Sequence, residues 1–308
     1  MAKDKIVLPQ MDERKNYSAC FEKRGVSRMK GWKYYNHAAI PTTAPHQNPD
    51  LIQIENGNIW NIDGKTPLLV RWTTDFDCGY ETNWWYVIKD TPFDISKLKA
   101  KRRYEINKGI KNFEIKEIEP TNYANELCDV QIAAYSAYPK KYRQSVDRVK
   151  FIESVQKWDC FICIGAFARE SEKLCGYVLL SKESESYVDF KVMRTNPECE
   201  REGVNAALVE GILKYFNSFL ANGGYICDGA RSINHETAFQ DYLEKYFGFR
   251  KAYCKLHIAY KPRLKRVVHL LYPIRKFLLK MDGIGALHSI NAVLKMEEIC
   301  RNEEHVKF

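Results

Sequence analysis

Long apolar runs are missing from this chain. No stretch of about 18 uncharged apolar residues occurs, so the sequence offers no membrane-spanning helix. The best apolar candidate, 267–279, is interrupted by Pro273, Arg275 and Lys276. The opening residues Met1-Ala2-Lys3-Asp4-Lys5 lack the apolar core of a signal peptide. No repeat of fixed period is visible. A second C-x-x-C is also lacking. Cys160 and Cys163 stand alone in Cys160-Phe161-Ile162-Cys163-Ile164, with no His nearby. A zinc site needs about four ligands, so these two read as core thiols and no metal is expected. The ten cysteines, without a secretion signal, imply reduced thiols and a soluble, cytoplasmic protein.

What is present supports a folded body. In 308 residues, 45% are hydrophobic and 13% aromatic, which excludes global disorder and allows one large domain or two ordinary ones. Lys and Arg number 48 against 39 acids, a formal net charge of +9. That excess is local. Residues 97–111 hold seven basic residues and one acid, and 261–280 hold seven basic residues and no acid. The rest of the chain is mildly acidic. Such a distribution points to local contacts with anions rather than to general polycation behaviour.

Element signals follow the chain. Residues 1–50 show no clear periodicity and read as an ordered loop or a cover strand. Asn56-Gly57 and Asp63-Gly64 are hairpin dipeptides and predict an antiparallel meander over 51–90, with strands at 51–55, 58–62, 67–73 and 84–89. A basic helix follows, with Asp94 as its cap. Strands are expected at 113–118, 160–168, 174–181, 186–193, 225–229 and 249–260. Helices are expected at 122–138, 146–158, 203–222 and 236–247. Residues 262–308 read as amphipathic helix, broken at Pro273 and near Gly283 and Gly285.

This order over 113–260 resembles the GCN5-related N-acetyltransferase fold, a mixed α/β sheet whose fourth strand splays from the fifth. Glu200-Arg201-Glu202-Gly203-Val204-Asn205, after the strand ending at Arg194, stands where that family places its pyrophosphate loop. Gly203 holds the central glycine. Glu200 stands where Gln or Arg is usual, and Asn205 where a second small residue is usual. Asp228-Gly229-Ala230-Arg231, Ala238-Phe239-Gln240-Asp241-Tyr242-Leu243 and Phe247-Gly248-Phe249-Arg250 resemble the closing section of the Fem-type branch, which includes aminoacyltransferases that build peptidoglycan bridges. The basic helix 101–109 resembles the start of the second of two tandem domains in that branch.

The resemblance implies acyl-CoA as co-substrate, its pyrophosphate at Arg201, Gly203, Val204 and Asn205, where a helix N-terminus favours anions. It implies pantetheine along the backbone of Val192, Met193 and Arg194. Strand alternation places Tyr187, Asp189, Lys191 and Met193 on one face, and Val188, Phe190 and Val192 on the other. Asp189 is then a candidate base, or the partner of Lys191 on a solvated face. Asp228 ends a strand beside the expected splay and is a second candidate for handling the proton. Tyr242 stands where related enzymes place a tyrosine acid, but it also falls on a core face. Arg231, His235, Trp84 and Trp85 are candidate substrate-binding residues; the bland alternatives are a loop salt bridge and an aromatic sheet face.

The expectation is an acyltransferase of mixed α/β fold, moving an acyl group from acyl-CoA to a small-molecule or cell-wall-precursor amine. The alternatives are an aminoacyl-tRNA-dependent transferase and a non-catalytic module that binds an anionic partner. The expected division is 1–112, 113–262 and 263–308. Segments 97–111 and 261–280 are expected to meet tRNA phosphates or an anionic membrane surface.

Overall fold

A computed structural model describes residues 29–138, 143–233, 238–281 and 285–305. Along the chain come β1 (Trp32–Tyr35), β2 (Ala38–Pro41), α1 (Ile52–Glu55), β3 (Leu69–Thr74), β4 (Trp84–Lys89), α2 (Ala100–Asn112) and β5 (Phe113–Glu117). Then follow α3 (Ala124–Ser136), α4 (Arg148–Val155), β6 (Ile162–Ala168), β7 (Leu174–Ser184), β8 (Tyr187–Thr195), α5 (Val204–Tyr215), α6 (Asn217–Ala221) and β9 (Tyr225–Ala230). The last elements are α7 (Ala238–Phe247), β10 (Arg250–Tyr260), α8 (Pro262–Leu271), α9 (Arg275–Leu278) and α10 (Gly285–His305). The described residues fall into two compact units. The first comprises Ile88–Asp228 and Tyr242–Phe249; the second comprises 29–87, Gly229–Asp241 and the chain from Arg250 onward. These limits differ from the three consecutive segments expected.

In the first unit β5, β6, β7 and β8 pair antiparallel in succession, and β8 pairs with β9 in parallel. β6 reads Ile-Cys-Ile-Gly-Ala-Phe-Ala and is buried along nearly its whole length. Such a continuous apolar strand needs cover on both faces. Leu127 and Val130 of α3 and Val155 of α4 close one face over Cys163, Phe167, Tyr177 and Leu179. α5 closes the other, with Leu208 lying over Gly176. Cys160 and Cys163 are buried and not disulfide-bonded, and burial pushes the Cys163 thiol up. Asp147 caps α4 by accepting from the Lys150 amide. Asp94 does not cap α2; it caps the short turn Ile95–Lys97 ahead of it, accepting from the Ser96 amide.

The second unit departs from the expected meander. Its hairpin lies at Asn36-His37, with φ of 45° and 63°, between β1 and β2. β2 pairs with β3 in parallel, and β3 pairs with β10 antiparallel. Asn56-Gly57 instead ends a helix: Asn56 caps α1 and Gly57 takes a left-handed φ of 73°. The same dipeptide that turns a hairpin also terminates a helix, because both need a positive φ. Asp63-Gly64 does make a tight turn, but its arms stop after one bridge, Ile62 to Lys65. Packing decided this outcome. Ile59 and Ile62 fold inward onto Trp32, Ala39 and Val70, which a flat 51–62 hairpin would not allow. Met296 and Ile299 of α10 pack on Leu256 and Cys254 of β10. Among the described residues no helix is long and apolar enough to cross a membrane.

Candidate functional site

The first unit contains a splay. Of the nine residues of β8, only Tyr187, Val188 and Asp189 pair with β9, opposite Tyr225, Ile226 and Cys227. Among the described residues, the β9-facing edge of β8 beyond Phe190 has no ladder partner, which leaves backbone groups available to a ligand.

Two bulges sit at this point. Leu179 opposes Val192 while Leu180 opposes Phe190, so Lys191 is an extra residue on β8. Lys182 opposes Val188 while Ser184 opposes Tyr187, so Glu183 is an extra residue on β7. Bulges re-aim side chains and cluster near functional sites. The bulge at Lys191 also breaks the expected alternation. Val192 shares the face of its partner Leu179 and packs with the α3 cluster, on the same face as Asp189. Opposed residues of antiparallel strands share a face, so one extra residue inverts everything beyond it.

The bulged side chains meet. Lys191 Nζ contacts Asp189 Oδ2, and reaches Glu183 Oε1 at 2.9 Å. Burial works to lower the Lys191 pKa, but Asp189 and Glu183 outweigh it and the net shift is upward. Asp189 is therefore held by an ammonium in a half-buried cluster rather than on a solvated face. The Glu183 side chain is only 10% exposed, and its buried Oε2 has no hydrogen-bond partner among the described residues. Two carboxylates face one ammonium, so the cluster carries a net charge of −1. Sequence reading passed over Glu183, because an irregularity at the end of a long strand has no local signature.

The segment expected to cradle a pyrophosphate is built for another contact. Asn196 caps the turn Pro197–Glu202, accepting from the Glu198 amide, and Gly203 follows with φ 89° before α5 begins. Gly203 faces Gly109 of α2. A Cβ on Gly109 would collide with the Gly203 carbonyl oxygen. Lys108 Nζ donates to the Arg201 carbonyl at 2.6 Å, and Asn112 Nδ2 to the Glu202 carbonyl at 3.1 Å. Val204 is fully buried, and Asn205 accepts from the Thr195 hydroxyl at 2.9 Å. Arg201 is exposed, and the same turn carries Glu198, Glu200 and Glu202. Three carboxylates outnumber Arg201 and Lys108, which pairs with Glu202 at 3.6 Å, and with α2 packed on the glycine this turn does not suit a pyrophosphate. Met193 lies opposite Val178. Arg194 stacks at 5.4 Å from the Tyr135 ring centroid, donates to the Met193 carbonyl at 2.8 Å, and keeps a buried Nε without a partner among the described residues.

The other predicted residues are dispersed. Asp228 is half-buried, next to Cys227 where the parallel pairing ends. Tyr242 is packed against the rings of Tyr246 and Phe247, and burial, with Glu105 nearby, pushes its hydroxyl far up. That environment matches the core-face reading. Trp84 is 2% exposed and belongs to the core of the second unit. Trp85 has Arg231 at 4.5 Å and Lys251 at 4.6 Å from its ring centroid. Arg231 also donates to the Asn83 carbonyl at 2.5 Å, and burial lowers its pKa. His235 lies outside the described residues. The second unit also holds a cavity of about 910 Å³ lined by Lys255, His257, Lys265, His269, Glu297 and Arg301. Its Glu297 is engaged by Tyr260 at 2.9 Å and Arg301 at 2.7 Å. Among the described residues, no group of three or more His, Cys, Asp or Glu could hold a metal.

No family model matches this chain, and no curated protein does. Among solved structures it is similar to L-PGS from Bacillus licheniformis, at 11% identity and TM-score 0.48, over 78% of this chain and 83% of that one. It is also similar to the C-terminal DUF2156 domain of a lysylphosphatidylglycerol synthetase candidate from Agrobacterium fabrum, at 10% identity and TM-score 0.48, over 82% and 90%. A third likeness is to a GCN5-related N-acetyltransferase-like protein from Streptococcus suis, at 12% identity and TM-score 0.34, over 73% and 79%. Likenesses at these TM-scores decide nothing further about the chain.

Proposed function

We propose that the first unit transfers an aminoacyl group, rather than an acyl group from CoA, to an amine. The observation that carries this reading is the net-negative Glu183–Lys191–Asp189 cluster at the apex of the β8–β9 splay. An aminoacyl ester brings a free ammonium, which the unpartnered Glu183 Oε2 is suited to accept. An acyl-CoA brings a pyrophosphate instead, for which the turn 198–202 offers no net positive charge, since its three carboxylates outnumber Arg201 and Lys108. The edge of β8 beyond Phe190 supplies backbone N–H groups that can polarise the ester carbonyl. Asp228, at the end of the paired segment, is the group proposed to take the proton from the attacking amine.

The two basic segments divide between two anionic partners. In 97–111 the cations Lys97, Lys99, Lys101 and Lys111 are exposed, which suits the phosphates of a tRNA donor. In 261–280 the exposed residues include Val267, Leu270, Ile274 and Phe277, at 47%, 75%, 50% and 64%. Phosphate binding gives no use to exposed Leu and Phe, whereas an anionic membrane surface takes both the cations and the apolar side chains.

The test compares aminoacyl-tRNA, its N-acetylated form and acetyl-CoA as ligands of the purified protein, by thermal shift and by transfer to an amine. A ligand at 100 times its Kd stabilises by about 2.7 kcal/mol. Preference for the free-amine form, lost in Glu183→Gln, is the expected result. Stabilisation by acetyl-CoA alone would overturn the aminoacyl reading. Binding of every polyanion without transfer would leave a non-catalytic anion-binding module.

A further inference from the structure

The second unit holds a smaller cavity, of about 190 Å³, between the 40–49 segment and the strands β3 and β4. Its walls include Pro41, Pro45 and Leu256, and its polar lining includes Arg71, Thr73 and Trp84. Arg71 lies on β3 opposite Ile258, with its guanidinium 5.8 Å from the Trp84 ring centroid. Among the described residues it has no ion-pair or hydrogen-bond partner. Burial lowers its pKa, and only the phenols of Tyr86 and Tyr35 act in the other direction. Among the described residues, the indole Nε1–H of Trp84, itself 2% exposed, finds no acceptor.

Two strong donors thus meet at one small cavity, the indole N–H buried and the guanidinium half-buried. A guanidinium without a counter-charge is costly to bury, and an unmade buried N–H adds to that cost. A bound anion would satisfy both groups. The guanidinium fork matches two carboxylate oxygens in one plane. The proline and leucine walls favour an apolar body beside that charge and disfavour a hydrated dianion such as phosphate. The volume lies below the roughly 300–1,000 Å³ of pockets for drug-sized ligands, so a nucleotide or a peptide is too large.

We propose that this cavity binds the carboxylate of a small organic acid, with Arg71 taking both oxygens and the Trp84 indole N–H donating to one of them. The site belongs to the second unit and does not rest on the transfer reading.

The test uses the full chain labelled with ¹⁵N-tryptophan and follows the indole N–H resonances, with that of Trp84 identified by Trp84→Phe. The probes are benzoate and isobutyrate, compared with benzamide and inorganic phosphate. The expected result is a saturable shift of the Trp84 resonance with the carboxylates and none with benzamide or phosphate. Arg71→Met is expected to abolish that shift without lowering Tm, because it removes a half-buried charge that has no ion-pair partner among the described residues. Arg71→Lys, which keeps a cation but loses the fork, is expected to bind at least tenfold more weakly, and it carries the test if the Met variant does not fold. No carboxylate-dependent shift, unchanged binding in Arg71→Lys, a marked fall in the Tm of a folded Arg71→Met, or a response to phosphate alone would each overturn the proposal.

Discussion

At the scale of single residues, Lys191 decides the character of the splay. It is the extra residue of a bulge, and it ties Asp189 to Glu183. Removing it leaves two half-desolvated carboxylates without a counter-charge. Loss of one partner from a fully buried pair costs about 3–5 kcal/mol. The Lys191 side chain is 27% exposed, so Lys191→Met is expected to lose roughly 2–3 kcal/mol in urea unfolding at neutral pH. The pH dependence has a definite sign. The folded pKa lies above the free-lysine value of 10.5. The stabilisation is therefore complete below that pH and fades as pH rises through the folded value. The gap between wild type and Lys191→Met should narrow correspondingly in alkaline unfolding curves. A constant gap would show that the lysine acts through packing alone.

At the scale of elements, α2 and α5 meet through glycines. A Cβ at Gly109 would contact the Gly203 carbonyl oxygen, the Ala207 amide nitrogen at 3.1 Å and the Ala207 Cβ at 3.2 Å. Two of these are backbone atoms, which cannot rotate away. Gly109→Ala is expected to cost about 2–3 kcal/mol, read as a lower urea midpoint with unchanged slope. A neutral result would show that α2 shifts freely on α5. The C-terminal helices make a different prediction. Leu270 is 75% exposed and Phe277 is 64% exposed. Inserting each into a bilayer interface yields about 1.5–3 kcal/mol at most, and each 1.4 kcal/mol is tenfold in partitioning. Leu270→Asp with Phe277→Asp should therefore lower co-sedimentation with phosphatidylglycerol vesicles by at least about tenfold. Equal binding of the wild type to neutral phosphatidylcholine vesicles would count against the charged half of the argument.

At the scale of the whole molecule, the two units are interleaved along the chain, since the second takes residues before, within and after the first. A chain ending at Phe249 keeps all the residues of the first unit but loses β10, the strand that registers with β3 over Leu69–Thr74. It also loses Met296 and Ile299 from the second core. Hydrogen exchange on that truncated chain is expected to keep protection in β5–β8 and lose it in β1–β3. Uniform loss would show that the first unit does not hold alone. The net charge of +9 also resolves at this scale, because the basic segment at 97–111 falls in the first unit and that at 261–280 in the second.

The sequence by itself determined the features that local physics controls. The apolar run 160–168, the turns closing β6 to β7 and β7 to β8, the helix after β8 and the break at Pro273 were all legible, because burial pattern and turn chemistry act over a few residues. Tertiary structure alone decided what depends on distant partners. Asn56-Gly57 satisfies a helix end as well as a hairpin, and the packing of Ile59 and Ile62 on Trp32 selected the helix end. Strict alternation along β8 failed at Lys191, because a bulge is set by how two strands register, not by the residues of one. Gly203 stands in a loop that resembles a phosphate loop, and only the fold shows that Gly109, 94 positions away, packs against it. Arg71 and Trp84 carry no motif, and only the fold places their unmet donors at one cavity.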